Sequence, residues 1–325
     1  MRCARDWAWL GAFGALAAAA GGVHAQAYPA KPVRFLVGFA AGGATDVSAR
    51  MLAQRLAESL GQPVVVENRP GSGGVIATEA VSKAPADGYT LLMMPAADAV
   101  QPALRRKLAY DLERDFAPVG RVVTGPWVVV VHPNVPARSI ADLVALAAKS
   151  RDKLNYATSG IGSSAHIANE LFNSMAGVKM VHVPYKGVSE GVTATAAGQT
   201  DVIFASITAA KPLLEARRVR PLAISTIKRT KLMPELPTVD ESGVRGYDRS
   251  GWYGVLAPAG VSKDIVSRLN AAIAAAVNTP AMTEAFNRQG LEPGVMAPEE
   301  FGAFIRKEVT QNIRIVKEAG IPIEG

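Results

Sequence analysis

One unit recurs along this chain and constrains its fold: a short apolar strand runs into a glycine-bearing turn and a helix follows. Residues 33–39 read as a strand feeding Ala40-Ala41-Gly42-Gly43-Ala44-Thr45-Asp46. Beyond that turn Val47, Met51, Leu52, Leu56 and Leu60 fall at helical spacing, so a helix is predicted over 46–60, stopped by Gly61. A second apolar strand enters Asn68-Arg69-Pro70-Gly71-Ser72-Gly73-Gly74, and a third, over 90–94, ends at Pro95-Ala96-Ala97-Asp98. Three strands with their loops on one side predict a parallel α/β sheet with a crevice at its carboxyl edge. Glycine lets backbone N–H groups approach a guest, and a helix start adds unpaired donors and partial positive charge, so such turns suit an anion. A purely structural turn remains the alternative for Gly42-Gly43.

The pattern changes over 127–131, where an apolar run enters His132-Pro133-Asn134-Val135-Pro136 and a helix is predicted over 139–148. A second sheet is predicted from strands at 154–157, 180–183, 202–204 and 222–224. The chain then returns through 251–256 and closes with helices over 263–277, 280–289 and 298–319. Two crossings divide the first unit and give the link between the two a hinge. The densest local site is Thr158-Ser159-Gly160-Ile161-Gly162-Ser163-Ser164, before a helix whose Ala168, Leu171, Phe172 and Met175 form an apolar stripe ended by Gly177. One of Ser163 and Ser164 is expected to cap that helix, leaving the other hydroxyl free. Capping alone does not require the additional Thr158, Ser159 and two glycines, which favours an anion seat.

With 325 residues, 49% of them hydrophobic, the chain is long enough for two lobes with substantial cores. Arg2 and Arg5, an apolar stretch over 7–16, an alanine run and Ala25-Gln26-Ala27 have the layout of a secretory signal peptide, cleaved near Ala27. A membrane anchor is the alternative, but the stretch is shorter than the roughly 18 to 20 apolar residues that span a bilayer. The single cysteine, Cys3, lies in the charged start of that segment, so neither a disulfide nor a lipid anchor is expected. The net charge of +7 is dispersed. Its densest clusters, Arg105-Arg106-Lys107 and Arg217-Arg218, lack interleaved aromatics, which argues against nucleic acid and leaves a general field that speeds encounter with small carboxylates.

The sequence argues against catalysis. His132, His166 and His182 sit in separate segments, with no His-x-x-x-His, no cysteine pair, no Gly-x-Ser-x-Gly elbow and no P-loop lysine. No metal or cofactor is expected. A hydrolase using Ser72 or Ser163 with a distant histidine is the remote alternative. His166 lies in the first turn after Ser164, where a ligand contact and a structural role are equally open. Trp127, Trp252 and Tyr253 fall at the crossings, where aromatics more often pack a hinge than stack on a guest.

Four segments carry a resemblance: Tyr28-Pro29-Ala30-Lys31-Pro32; Gly42-Gly43-Ala44-Thr45-Asp46; Gly61-Gln62-Pro63-Val64-Val65-Val66-Glu67-Asn68-Arg69-Pro70-Gly71; and Asp87-Gly88-Tyr89-Thr90-Leu91-Leu92. With Val183-Pro184-Tyr185-Lys186-Gly187 and the 156–164 turn, they resemble the Bug family, the periplasmic solute-binding components of tripartite tricarboxylate transporters. The resemblance implies a type II periplasmic binding protein fold, two α/β lobes closing on a ligand, with lobe 1 over 28–131 and 251–325 and lobe 2 over 132–250. It implies capture of a small carboxylate (a dicarboxylate, tricarboxylate, amino acid or aromatic acid) for a membrane permease, by a monomer. Docking on a sensor kinase ectodomain is the alternative. The expected ligand-binding residues are Phe39, Ala40, Gly42, Gly43, Thr45, Asp46, Ser72, Gly73, Ala96, Thr158, Ser159, Gly160, Gly162, Ser163, Ser164, His166 and Ser206. Asp46 is carried over as an orienting residue, although a carboxylate beside an anion seat repels the guest and bonding to loop N–H groups or to the first helical turn is its more natural task. The chain departs from the family where Gly38 and Ala41 replace prolines, which predicts a looser first loop. It also lacks the aspartate-leucine-leucine run before Gly198.

Overall fold

A computed structural model describes residues 28–149 and 153–324. The expected signal peptide lies outside the described residues. The first half opens with β1 (Val33–Val37), α1 (Ala44–Leu60), β2 (Val64–Asn68), α2 (Val75–Ser82), β3 (Thr90–Pro95) and the short α3 (Gln101–Leu104). β1 pairs in parallel with both β2 and β3, as the strand-turn-helix pattern predicts. Alternate residues of these strands are buried on opposite faces: Phe35, Val37, Leu91 and Met93 pack on one side of the sheet, and Leu36, Leu92 and Met94 on the other. A strand covered on both faces reads as an unbroken apolar run, which is why these strands stand out in the sequence.

The long β4 (Phe116–Val131) leads into the second half, which contains α4 (Ile140–Lys149), β5 (Asn155–Thr158), α5 (Ser164–Ala176), β6 (Val181–Pro184), α6 (Val188–Ala196), β7 (Val202–Ser206), α7 (Ile207–Glu215) and β8 (Arg220–Ile224). β9 (Ser250–Pro258) returns to the first sheet, and α8 (Lys263–Val277), α9 (Pro280–Arg288), β10 (Glu292–Pro293) and α10 (Pro298–Glu318) complete the chain. β4 belongs to both halves. From Phe116 to Pro126 it pairs antiparallel with β9, and from Trp127 to Val131 it pairs with β7 and β8. The strand order is β2-β1-β3-β9-β4-β7-β5-β6, so β9 and β4 are the crossover between two α/β layers.

Each half has its own core. Val129, Val131, Val202 and Phe204 pack on one face of the second sheet, with Val128, Val130, Ile203 and Ala205 on the other. α10 joins the two halves: Phe301, Ile305 and Val309 near its start belong to the first core, while Ile315 and Val316 near its end belong to the second. Where it passes the crossover, the buried Arg249 pairs with Glu308 at 2.6 Å and also donates to Asn312 Oδ1. Asn312 Nδ2 in turn donates to Ala99 O, tying the loop after β3 to the same knot.

Candidate functional site

The carboxyl ends of β1, β3, β5 and β7 open onto one cleft of about 420 Å3 between the two halves, floored by Gly125, Pro126 and Trp127 of β4 and by Gly251, Trp252 and Tyr253 of β9. Of the residues predicted from the sequence, Phe39, Thr45, Ala96, Ser159, Ser163, Ser164 and Ser206 line it. None of its lining residues carries a charged side chain. Four helices begin at its wall: α1, α5, α7 and α6, whose first residue Val188 lines it. At α1 the N-cap is Gly43, which has no side chain to offer, and the N–H groups of Ala44, Thr45 and Asp46 find no acceptor among the described residues. At α5 Ser163 accepts from the His166 N–H at 3.2 Å, as capping predicts, which leaves the N–H groups of Ser164 and Ala165 and the Ser164 hydroxyl. At α7 Ser206 caps through the Ala209 N–H at 3.4 Å, leaving Ile207 and Thr208. Unpaired N–H groups and positive helix ends facing an uncharged cleft form a site for an anion.

The other predicted residues build the walls. Asp46 is buried, and its carboxylate accepts from the Gly42 N–H at 2.8 Å, Arg50 Nε at 3.0 Å and Asn68 Nδ2 at 2.8 Å. Burial raises its pKa, but the bonds from Arg50, Gly42 and Asn68 outweigh burial and hold the carboxyl below its usual range. Asn68 Nδ2 also reaches the Phe39 carbonyl at 3.1 Å. The turn through Ala40, Gly42 and Gly43 is thereby fastened to α1 and β2, although glycine and alanine replace proline in it. Gly38 has a steric reason: a Cβ there would meet the Gly74 Cα at 2.7 Å.

Ser72 and Gly73 do not line the cleft; Gly73 lies against the Gln101 side chain, and Arg105 approaches the Ser72 carbonyl. Thr158, Gly160, Gly162 and His166 form the underside of the α5 turn. The Thr158 hydroxyl bonds the Gly160 N–H at 3.1 Å and His182 Nε2 at 2.6 Å. The Gly162 N–H donates to His166 Nδ1 at 3.0 Å. The two imidazoles stack with ring centres 3.8 Å apart, and Tyr156 stacks on His182. Burial pushes the His166 pKa down to about 3, assisted by His182, and burial pushes His182 down to about 4. Both rings are therefore neutral, and Nδ1 of His166 is an acceptor for the loop. Neither Ser72 nor Ser163 is hydrogen bonded to an imidazole side chain among the described residues; the hydroxyl that meets an imidazole is that of Thr158, buried beneath the turn and away from the cleft lining. No group of three or more His, Cys, Asp or Glu among those residues is placed to hold a metal ion.

Several lining residues are not apparent from the sequence. Ser48, one turn into α1, is 1% exposed and its hydroxyl has no hydrogen-bond partner. Gln289, Gly290 and Leu291, between α9 and β10, reach the cleft from the C-terminal part of the chain, beside Thr208 of α7. Tyr253 adds a phenol whose pKa burial raises and a hydrogen bond with Thr45 lowers. Only the fold brings these groups together. Ser48 carries a partial signal, standing in the first turn of the predicted helix, three residues after Thr45.

Two α/β halves joined by crossover strands, with a ligand cleft at the strand ends, define a two-lobed solute-binding protein of the type II periplasmic binding class. The chain belongs to the tripartite tricarboxylate transporter receptor family, whose sequence profile matches residues 48–321. It is 36% identical to the protein BugT of Bordetella pertussis over 326 positions, covering 100% of each chain. Among solved structures it resembles an R. palustris protein with adipate (37% identity, TM-score 0.75, 91% of this chain and 100% of that one). It also resembles MatC of Rhodopseudomonas palustris with bound malate (30%, TM-score 0.71, 89% and 100%). A TctC solute-binding protein from Polaromonas superposes with a TM-score of 0.80 at 26% identity, over 90% of this chain and 99% of that one.

Proposed function

We propose that this chain is an exported receptor that captures a small carboxylate in the cleft and delivers it to the permease of a tripartite tricarboxylate transporter, performing no chemistry itself. The observation that carries this reading is an uncharged cleft walled by the uncapped start of α1 and the free N–H groups of α5 and α7. The seats act together. One helix start offers an anion about 0.3–1 kcal/mol, up to ~2 when partly buried, whereas micromolar affinity needs about 8 kcal/mol. Hydrogen bonds to a charged group add roughly 1.5–3 kcal/mol each. Donors from both lobes are therefore needed at once, which couples binding to closure of the cleft. The family, the adipate and malate held by relatives, and the signal-like first 27 residues support a periplasmic role with linear or hydroxylated dicarboxylates as the leading class. Among the described residues no helix is long and apolar enough to cross a membrane.

Calorimetry against dicarboxylates, tricarboxylates, amino acids and aromatic acids tests the reading, paired with uptake of the bound acid in cells with and without the permease. Saturable binding and permease-dependent uptake are expected. An absence of saturable binding across all four classes would overturn it. Binding without permease-dependent uptake, with a ligand-dependent transcriptional response retained, would move the partner to a sensor kinase.

A further inference from the structure

A second cavity, of about 340 Å3, lies where the crossover strands meet α10, and it shares no lining residue with the ligand cleft. Thr124 of β4 and Ser250 of β9, hydrogen bonded to each other at 2.9 Å, contribute to its wall. Five cationic side chains line it against three carboxylates. The carboxylates are engaged: Glu308 with Arg249, Asp248 with the Ile227 N–H, and Glu292 with the Lys231 N–H. The cations are not all engaged. Arg121 is half-buried, sits over the Phe304 ring at 5.2 Å and donates only Nε, to the Gly294 carbonyl at 2.7 Å. Its other N–H groups have no acceptor among the described residues, and no carboxylate pairs with it. Burial depresses its pKa, and the more distant carboxylates of Glu300, Asp248 and Glu308 offset that only in part. Arg249, 3% exposed, has an Nε without a partner. Lys228 and Lys307 make no ion pair among the described residues.

A half-buried guanidinium with a free fork matches an oxyanion in geometry as well as charge, because its donors are planar and fixed. Its neighbours come from two parts of the molecule. Arg121 and Lys307 belong to the elements of the first sheet and α10, whereas Lys228 belongs to the segment that follows β8 of the second sheet. We infer that this cavity is a second oxyanion site, distinct from the carboxylate cleft, that takes a small dianion of the phosphate type and is held from both halves of the molecule. An occupant touching both halves beside the crossover strands has a direct hold on the angle between them.

Titration calorimetry of the full mature protein with inorganic phosphate, at low and constant ionic strength and with chloride as the control anion, tests the site. The probe needs no knowledge of the cleft ligand, so its outcome is separate from that of the transport reading. Saturable phosphate binding is expected, weakened about tenfold in Arg121→Gln and by a smaller factor in Lys228→Gln and in Lys307→Gln. The two lysines are exposed and their substitution leaves the fold intact, so they carry the test if Arg121→Gln fails to fold. The inference is overturned if phosphate gives no saturable heat, if chloride reproduces the signal, or if affinity is unchanged in both lysine variants. Loss confined to Lys307→Gln would overturn the bridging of the two halves.

Discussion

At the scale of single residues, the cleft is notable for how little charge it contains. In the proposed reading a carboxylate is received by N–H groups and hydroxyls, and Ser48 is one such hydroxyl. Its buried hydroxyl has no partner among the described residues, which costs about 1–3 kcal/mol, and in the proposed reading a guest would supply one. Ser48→Ala is therefore expected to raise the stability of the free protein by about 1 kcal/mol and to weaken the carboxylate about tenfold, read by melting and by calorimetry. Asp98, beside the loop after β3, is a second residue under tension. It is 1% exposed, its Oδ1 is unpartnered, and burial pushes its pKa well up while the Thr78 hydroxyl pulls it back. A raised folded pKa contributes stability that is complete below the unfolded value of 3.8 and is lost as pH rises toward the folded value. Asp98→Asn is expected to stabilise the protein at neutral pH by about 1 kcal/mol or more and to flatten the decline in melting temperature with rising pH.

At the scale of elements, the α5 turn and the α10 knot hold the site in place. Gly162 must be glycine: its φ is +72° and a Cβ would meet Leu104 Cδ1 at 2.5 Å. Beneath it the neutral stack of His166 and His182 holds the loop, His166 Nδ1 accepting from the Gly162 N–H and His182 Nε2 hydrogen bonded to the Thr158 hydroxyl. Both pKa values are depressed from 6.5, so their contribution is complete above the unfolded value and is lost as pH falls toward about 4 and about 3. The melting temperature is expected to fall between about pH 7 and about pH 5, less steeply in His182→Gln. In the knot, Glu308→Ala strands the buried Arg249 and is expected to cost about 3–5 kcal/mol in chemical denaturation. The strands covered on both faces and the serine-rich turn were legible in the sequence because local pattern determines them. The first part of β4 was not, since Pro118, Gly120, Gly125 and Pro126 signal a break, and the strand accommodates them through register shifts at Pro118/Gly120 and Arg121/Val123. The place of Gln289 to Leu291 at the cleft was equally hidden, because tertiary packing alone carries them there.

At the scale of the whole molecule, one architecture serves both stability and binding. Each half keeps its own core, with Val100 and Ala103 of the first half packed into that of the second. The crossover strands floor the cleft, and α10 spans both halves behind them. Affinity then depends on how many N–H groups both lobes bring to the guest together. The central claim is that the cleft recognises negative charge on a carboxylate with dipoles and hydroxyls rather than with cations. The most direct test is a thermal shift of residues 28–325 with small dicarboxylates, each beside its diamide. An acid present at a hundredfold excess over its Kd is expected to stabilise the fold by about 2.7 kcal/mol, a rise of a few degrees, and its diamide to give none. Equal shifts from acid and diamide, or no shift from any acid, would contradict the account.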